Sequence, residues 1–272
     1  MEPDYGDIEK RIRLLDNLEY FEKYISIINK YNAKVTMFTV TNLFEKRNKQ
    51  FAELATRIPL EYSIHSHTHD PYNACSLDQV QNSKRAYQNF TGQKAMGYRA
   101  PIGRITKDGL GHLLDHDFIY DASVYPSIRP GKFGYSNLHM PNIPFKVTRN
   151  DGKSLIEFPF TAIEKIRIVF ALSYVKLLGW GLYSLLLKIF GLPTYVLLLS
   201  HPHDFYFAEI ANNTTKGAEK IALSRNSQKA FDYFEKMIKF LHQQGYEFIF
   251  VSELIKEVKQ NSLQQIAWET WK

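Results

Sequence analysis

The run Ser63-Ile64-His65-Ser66-His67-Thr68-His69-Asp70 sets three alternating imidazoles directly after a short apolar stretch. His65 and His69 lie four residues apart. In a tight loop or a first helical turn, that spacing brings two imidazoles to one ion. The chemistry on offer is ligation of a divalent cation. Neutral imidazole suits zinc, cobalt, nickel and iron, and the residues alone do not choose among them. Without a metal, the same cluster would be a polar loop whose charge changes near neutral pH.

Three further groups close apolar runs. Arg99, in Gly97-Tyr98-Arg99-Ala100-Pro101, ends a short strand-like stretch. A guanidinium buried there cannot shed its charge and asks for an anionic partner. Asp121, in Tyr120-Asp121-Ala122-Ser123, ends the next. An ordinary ion pair and a turn would explain both equally well. His201 opens His201-Pro202-His203-Asp204 after the apolar run ending at Ser200. It is placed to act as a general acid toward a leaving amine, with His203 and Asp204 orienting it or lining the pocket. Taken singly, this motif reads as a surface loop.

The elements that would position these groups alternate in period. Leu14, Leu18, Phe21, Ile25 and Ile28 fall at helical spacing, and Val35 to Val40 follows as a strand. Tyr62 to Ile64 is a short strand ending at the histidines, and Ser76 with Gln79 forms a capping-box pattern opening a helix that stops near Gly92. Gly97 to Ala100, a helix from Thr106 to His116, and strands at Phe118 to Val124 and Leu155 to Phe160 come next. Tyr195 to Ser200 reads as a buried parallel strand. A helix presenting Ala230, Phe234, Met237, Ile238 and Leu241 closes near Gly245, followed by a strand from Phe248 to Val251 and a helix capped by Ser252. This alternation, with no linker-like stretch, predicts one domain over residues 1–272, an α/β chain folded as a parallel barrel with chemistry at the C-terminal strand ends.

Bulk properties agree. A chain of 272 residues with 44% hydrophobic content, 14 Gly and 11 Pro is globular rather than disordered or fibrous. Its 17 Tyr and 19 Phe serve mainly core and barrel wall, with sugar-stacking platforms as the functional alternative. The net charge of +6 is spread without a run of five basic residues, which argues against nucleic acid. A solvated basic surface is expected, and after it an anionic glycan or membrane surface. One cysteine, Cys75, makes no internal disulfide. The acidic, polar opening carries no secretory signal pattern, so a cytoplasmic location is expected. The apolar stretch Ile168 to Ser200 is broken by Lys176 and Lys188. A spanning helix needs about 20 apolar residues, so a packed or interfacial helix with peripheral membrane contact is expected, and no transmembrane span.

Taken together, the motifs resemble the polysaccharide deacetylase family, carbohydrate esterase family four with its NodB-homology domain. His65-Ser66-His67-Thr68-His69 matches its second motif, His-Ser/Thr-x-x-His, and Arg99-Ala100-Pro101 its third, Arg-x-Pro. Asp121 stands for the aspartate of the fourth, and Val196 to His201 for the strand and catalytic histidine of the fifth. The resemblance runs from about Asn32 to Glu257. It implies a distorted (β/α) barrel of about seven strands and a zinc-type divalent metal. The implied reaction removes N- or O-acetyl groups from a polysaccharide, peptidoglycan or glycan intermediate. By matching position, His65 and His69 hold the metal, Arg99 orients the catalytic carboxylate, His201 protonates the leaving amine and Asp121 tunes it. Tyr98, Pro101, His203 and Asp204 are the expected substrate contacts.

The chain departs from the family at its first motif, an acidic pair ending the first barrel strand. Ahead of the Leu14–Ile28 helix stands Met1-Glu2-Pro3-Asp4, so the first strand is expected to be missing. Glu2 is then the expected third metal ligand, ahead of Asp4, with the base aspartate absent. Three readings stay open: a glycan deacetylase, a metal amidohydrolase acting on a small amide or cyclic imide, and a non-catalytic glycan-binding barrel.

Overall fold

The computed structural model describes residues 13–131, 134–206, 224–258 and 263–271. Local signals set the first unit. Asn17 accepts the Tyr20 N–H at 3.0 Å and so separates α1 (Arg13–Asp16) from α2 (Leu18–Lys30). That break turns Leu18 outward, to 71% exposure, against the helical spacing that predicted it inward. Phe21, Tyr24, Ile25, Ile27 and Ile28 carry the buried face.

β1 (Val35–Thr39), β2 (Leu60–Ile64), β3 (Gly97–Tyr98) and β4 (Tyr120–Asp121) then follow, linked by helical crossovers. Between β1 and β2 lie α3 (Leu43–Lys46) and α4 (Asn48–Arg57); α5 (Leu77–Thr91) and α6 (Lys107–Asp115) complete the set. Such crossovers make neighbouring strands parallel, and all four are. Gly92 ends α5 at φ 70°, where a side chain would be strained. Gly97 is required for a different reason. A Cβ there would lie 1.8 Å from the Tyr120 ring, whose hydroxyl reaches the Ser63 hydroxyl at 2.9 Å.

A separate antiparallel pair, β5 (Ile128–Arg129) and β6 (Tyr135–Ser136), leads to β7 (Phe145–Thr148) and β8 (Ser154–Glu157). Then come α7 (Leu172–Leu178), α8 (Trp180–Phe190), α9 (Ala230–Gln243), α10 (Val251–Glu257) and β9 (Gln264–Ala267). The main sheet has seven strands in the order β1-β2-β3-β4-β8-β7-β9, parallel throughout except β7 against β8. One body of core packs α2, α7, α8 and α9 around Ile28, Val175, Tyr183 and Met237; another packs β2, β3, α5 and α6 around Ile64, Val80, Tyr98 and Leu113.

The α/β class and the mostly parallel sheet are as the alternation predicts, but two expected strands do not form ladders. Residues 195–200 lean on the 161–171 connection through single bonds. Leu197 N–H donates to the Thr161 hydroxyl at 2.7 Å, and Leu199 bridges Ala171. Residues 248–250 lead into α10, whose first N–H, from Val251, donates to the Thr36 hydroxyl at 3.0 Å beside the start of β1. The helix is closed by Glu253 accepting the Phe250 N–H at 2.9 Å, not by Ser252. Nor is Ser76 a hydrogen-bonding cap of α5. The seven-stranded, mostly parallel sheet agrees with the expected distorted barrel of about seven strands, and among the described residues no ladder is recorded on the outer edge of β1.

Candidate active site

The His65 loop is built by clips from three directions. His65 N–H donates to Thr39 at 2.8 Å, continuing the register of β1 and β2. Ser66 and His69 take left-handed backbone angles, φ 64° and 59°, a conformation uncommon for side-chain-bearing residues. Gln79 from α5 holds the bend. Its Oε1 accepts the His67 and Thr68 N–H groups at 3.2 and 3.0 Å and faces both loop hydroxyls. This is the true task of the residue that the sequence pattern assigned to a capping box. His67 Nδ1 lies 3.0 Å from the Thr41 hydroxyl, and burial holds its pKa below the ordinary histidine value.

The other two histidines come together, with ring centroids 4.9 Å apart and planes at 73°. His65 Nδ1 lies 2.7 Å from the Arg99 carbonyl. A carbonyl can only accept, so Nδ1 carries the proton and Nε2 carries the ring's lone pair. That is the tautomer a metal ligand needs, fixed by the kind of main-chain partner that ligating imidazoles use. Glu2, the expected third ligand, and Asp4 lie outside the described residues.

Two aromatic faces flank Arg99. Its guanidinium carbon stands 3.8 Å from the Phe38 ring centroid and 4.4 Å from that of Phe160, and Nε donates to the Ala122 carbonyl at 2.9 Å. Asp121 is wholly buried nearby, opposite Glu157 in the register of β4 and β8. Asp121 accepts from the Ser123 hydroxyl at 2.7 Å, and Glu157 accepts the Val124 N–H at 2.8 Å. The remaining oxygens, Asp121 Oδ2 and Glu157 Oε2, are fully buried, and among the described residues neither has a hydrogen-bond partner. Burial raises both pKa values, that of Glu157 well above the carboxylate range with the Asp121 charge adding to it; the charge of Arg99 pulls Asp121 back. Asp121 is engaged with Ser123, Glu157 and the charge of Arg99. Glu157 escaped the sequence reading because a lone glutamate at the end of a strand carries no pattern.

The carboxylate at His201 is Asp204. Its Oδ2 accepts the His201 N–H at 2.8 Å and lies 3.6 Å from His201 Nδ1. Burial would raise the Asp204 pKa, but the His201 bond and the charges of Lys176 and His203 win and hold it far below the usual range. Lys176, read from sequence only as a break in an apolar run, is buried and donates to the Asp204 carbonyl at 2.7 Å. The His201 and His203 rings stack 4.8 Å apart.

His65, His69, Arg99, His201 and His203 all line one cavity of about 520 Å³, bounded by β1, residues 194–203 and residues 245–251. Its acidic lining residues are Glu247 and Glu257, both exposed. Asp204 does not line it and acts from behind His201. Tyr98 and Pro101, expected against substrate, are buried; the Tyr98 hydroxyl donates to the Ala74 carbonyl, so they shape the core beneath the site.

The family model described as polysaccharide deacetylase matches residues 11–118, a span that contains His65, His69 and Arg99. Over that span the chain is similar to the polysaccharide deacetylases. Solved structures carry the likeness of fold across most of its length. A Mycobacterium smegmatis protein assigned as a polysaccharide deacetylase aligns with TM-score 0.57 at 15% identity, over 90% of this chain and 78% of that one. PuuE allantoinase aligns at 0.58 and 11%, over 93% and 77%. A Pseudomonas aeruginosa protein with the deacetylase assignment aligns at 0.53 and 12%, over 88% and 73%. No curated protein matches. The matched family span stops before Asp121, Glu157 and His201, so their arrangement rests on this chain's own geometry.

Proposed function

We propose that this chain removes an acetyl group from an acetylated glycan, with a divalent cation of the kind imidazole ligates, zinc being the proposed one, held at His65 and His69. The observation that carries the reading is the His65 Nδ1–H···O Arg99 bond, which presents Nε2 for ligation beside the His69 ring in the cavity that His201 also lines. A second imidazole-carboxylate group, His201, His203 and Asp204, has ligand atoms within 4.8 Å of one another. There Asp204 already serves the His201 main chain, and the Lys176 cation beside it opposes a metal ion. The His65–His69 pair is the better fit, with Glu2 as the proposed third ligand.

When bound, such an ion supplies Lewis acidity at a carbonyl and a more acidic water. The chain's own residues do the rest. Arg99, fixed between two rings, brings positive charge to the cavity wall. His201, backed by ionised Asp204, delivers a proton to the departing amine; water adds to the acetyl carbon, the C–N bond breaks, and acetate and free amine result.

One observation favours a second reading, a barrel that binds glycans without turning them over. Among the described residues, the cluster of three ligating groups lies at His201, and no carboxylate completes one at His65 and His69. Metal analysis with acetate release from chitooligosaccharides and acetylated peptidoglycan separates the two. Hydrolysis predicts metal and acetate together, with His65→Ala losing both and His201→Ala keeping the metal while losing turnover. Full metal in His65→Ala sinks the ligand assignment; bound zinc without acetate from wild type favours the second reading.

A further inference from the structure

Helix α8 is apolar on two sides. Tyr183 and Leu187 point inward and are buried, the Tyr183 hydroxyl donating to the Val169 carbonyl at 2.7 Å. Leu182, Leu185 and Ile189 point outward, at 50, 52 and 61% exposure. Their spacing of three and four residues puts them on one face. A surface helix ordinarily carries polar residues there, and a contiguous aliphatic stripe marks a docking face. Among the described residues no single helix is long and apolar enough to cross a membrane, and α7 and α8 meet at a bend of 113°. The stripe thus belongs to a short helix lying on the surface.

Charge identifies what covers it. From Lys165 to His203 the sequence has no Asp or Glu, but it has Lys165, Arg167, Lys176 and Lys188. Lys176 is buried, whereas Lys165 and Lys188 are exposed. The Glu164 N–H donates to the Gly191 carbonyl at 3.2 Å, which brings the exposed pair Glu164 and Lys165 to the end of α8 where Lys188 stands. Trp180 and Phe190, both half-buried, bracket the helix. An aliphatic stripe, flanking aromatics and two exposed lysines against one exposed carboxylate, Glu164, are the pattern of an interfacial helix on an anionic bilayer. A second copy would match the stripe but set like charges together on a chain of net charge +6.

We propose that α8 docks this protein on an anionic lipid bilayer, with Leu182, Leu185 and Ile189 among the acyl chains and Lys165 and Lys188 at the headgroups. This goes beyond acetyl hydrolysis and does not depend on it. Vesicle flotation tests it, using phosphatidylcholine alone and phosphatidylcholine with phosphatidylglycerol at about 7:3. Wild type is expected to float with the anionic vesicles and at least ~10-fold less with the neutral ones. Leu182→Ser/Leu185→Ser/Ile189→Ser should lose at least ~10-fold in partitioning while keeping its circular dichroism and melting temperature, as suits exposed positions. Lys188→Glu should weaken binding at low salt more than at high salt. If the triple variant fails to fold, Leu185→Ser and Ile189→Ser singly give the same reading with smaller losses. Wild type remaining unbound to both vesicles, or a folded triple variant floating like wild type, overturns the proposal. So does a wild-type dimer that the triple variant dissolves while vesicles capture neither.

Discussion

The proton on His65 Nδ1 is committed to the main-chain carbonyl of Arg99, 2.7 Å away. One hydrogen bond thereby joins the loop after β2 to the end of β3 and fixes which nitrogen of His65 faces the cavity. Because Arg99 is itself flanked by Phe38 and Phe160, the orientation of the His65 ring is inherited from an aromatic stack.

That stack should be measurable as stability. Arg99→Lys keeps the charge but loses the planar group between the rings and the Nε–H bond to Ala122, and is expected to cost about 1–2 kcal/mol. Urea unfolding reads the loss directly. Phe38→Leu should cost less in the Arg99→Lys background than in wild type, since the contact it removes is already gone. Strictly additive losses would show that the rings do not hold the guanidinium.

Gln79 supports the same loop from α5. Gln79→Leu removes the acceptor for the His67 and Thr68 N–H groups while leaving the helix position filled. Metal affinity should fall by roughly 10–100-fold, the usual cost of losing support behind a ligand. Competition against a chelator measures it, with circular dichroism confirming the fold. Unchanged affinity would mean that the two left-handed residues hold the bend unaided.

The carboxyl pair makes a prediction about pH. Burial raises the Glu157 pKa well above 4.5, so the folded chain keeps a proton that the unfolded chain releases once the pH passes that value. This contribution is complete below about pH 4.5 and is lost as pH rises toward neutrality, at up to ~1.4 kcal/mol per pH unit for one proton. Glu157→Gln supplies a permanent donor to Asp121 and can still accept from Val124. Its melting temperature should gain on wild type progressively from about pH 5 to 8. A gap independent of pH would show that the pair holds no extra proton.

The sequence made some of this legible and hid the rest for physical reasons. Helices and strands with strong local periodicity, such as Leu18–Lys30, Val35–Thr39 and Leu77–Thr91, are where the pattern placed them. The runs 195–200 and 248–251 are as apolar as any strand, yet ladder formation needs a neighbouring edge in register, which no local pattern encodes. The His65–His69 pairing was readable because four-residue spacing acts locally. The neighbours of Asp121, Glu157 and Arg99, were not readable because they arrive from distant strands. Asp204, three residues from His201, accepts its main-chain N–H and stands 3.6 Å from its ring nitrogen, and only the fold shows Lys176 behind it.

Asp204 therefore offers the sharpest test of the acid assigned to His201. Asp204→Asn keeps a side-chain oxygen for the His201 N–H but removes the negative charge beside the ring and the counter-charge for Lys176. If His201 gives its proton to the leaving amine, kcat should fall by ~10²-fold or more, within the range for general acid catalysis, while KM stays nearly constant. The stability effect has its own signature. The folded-state Asp204 pKa is held below 3.8, so the charge stabilises the fold at all pH values above that, and its contribution disappears as acid protonates it. Wild type and Asp204→Asn should differ by a constant amount in melting temperature above about pH 3.8, and the gap should narrow progressively as the pH falls below that value. A variant that loses stability in this way yet keeps wild-type kcat would leave Asp204 as a purely structural anchor and remove the case for His201 as the acid.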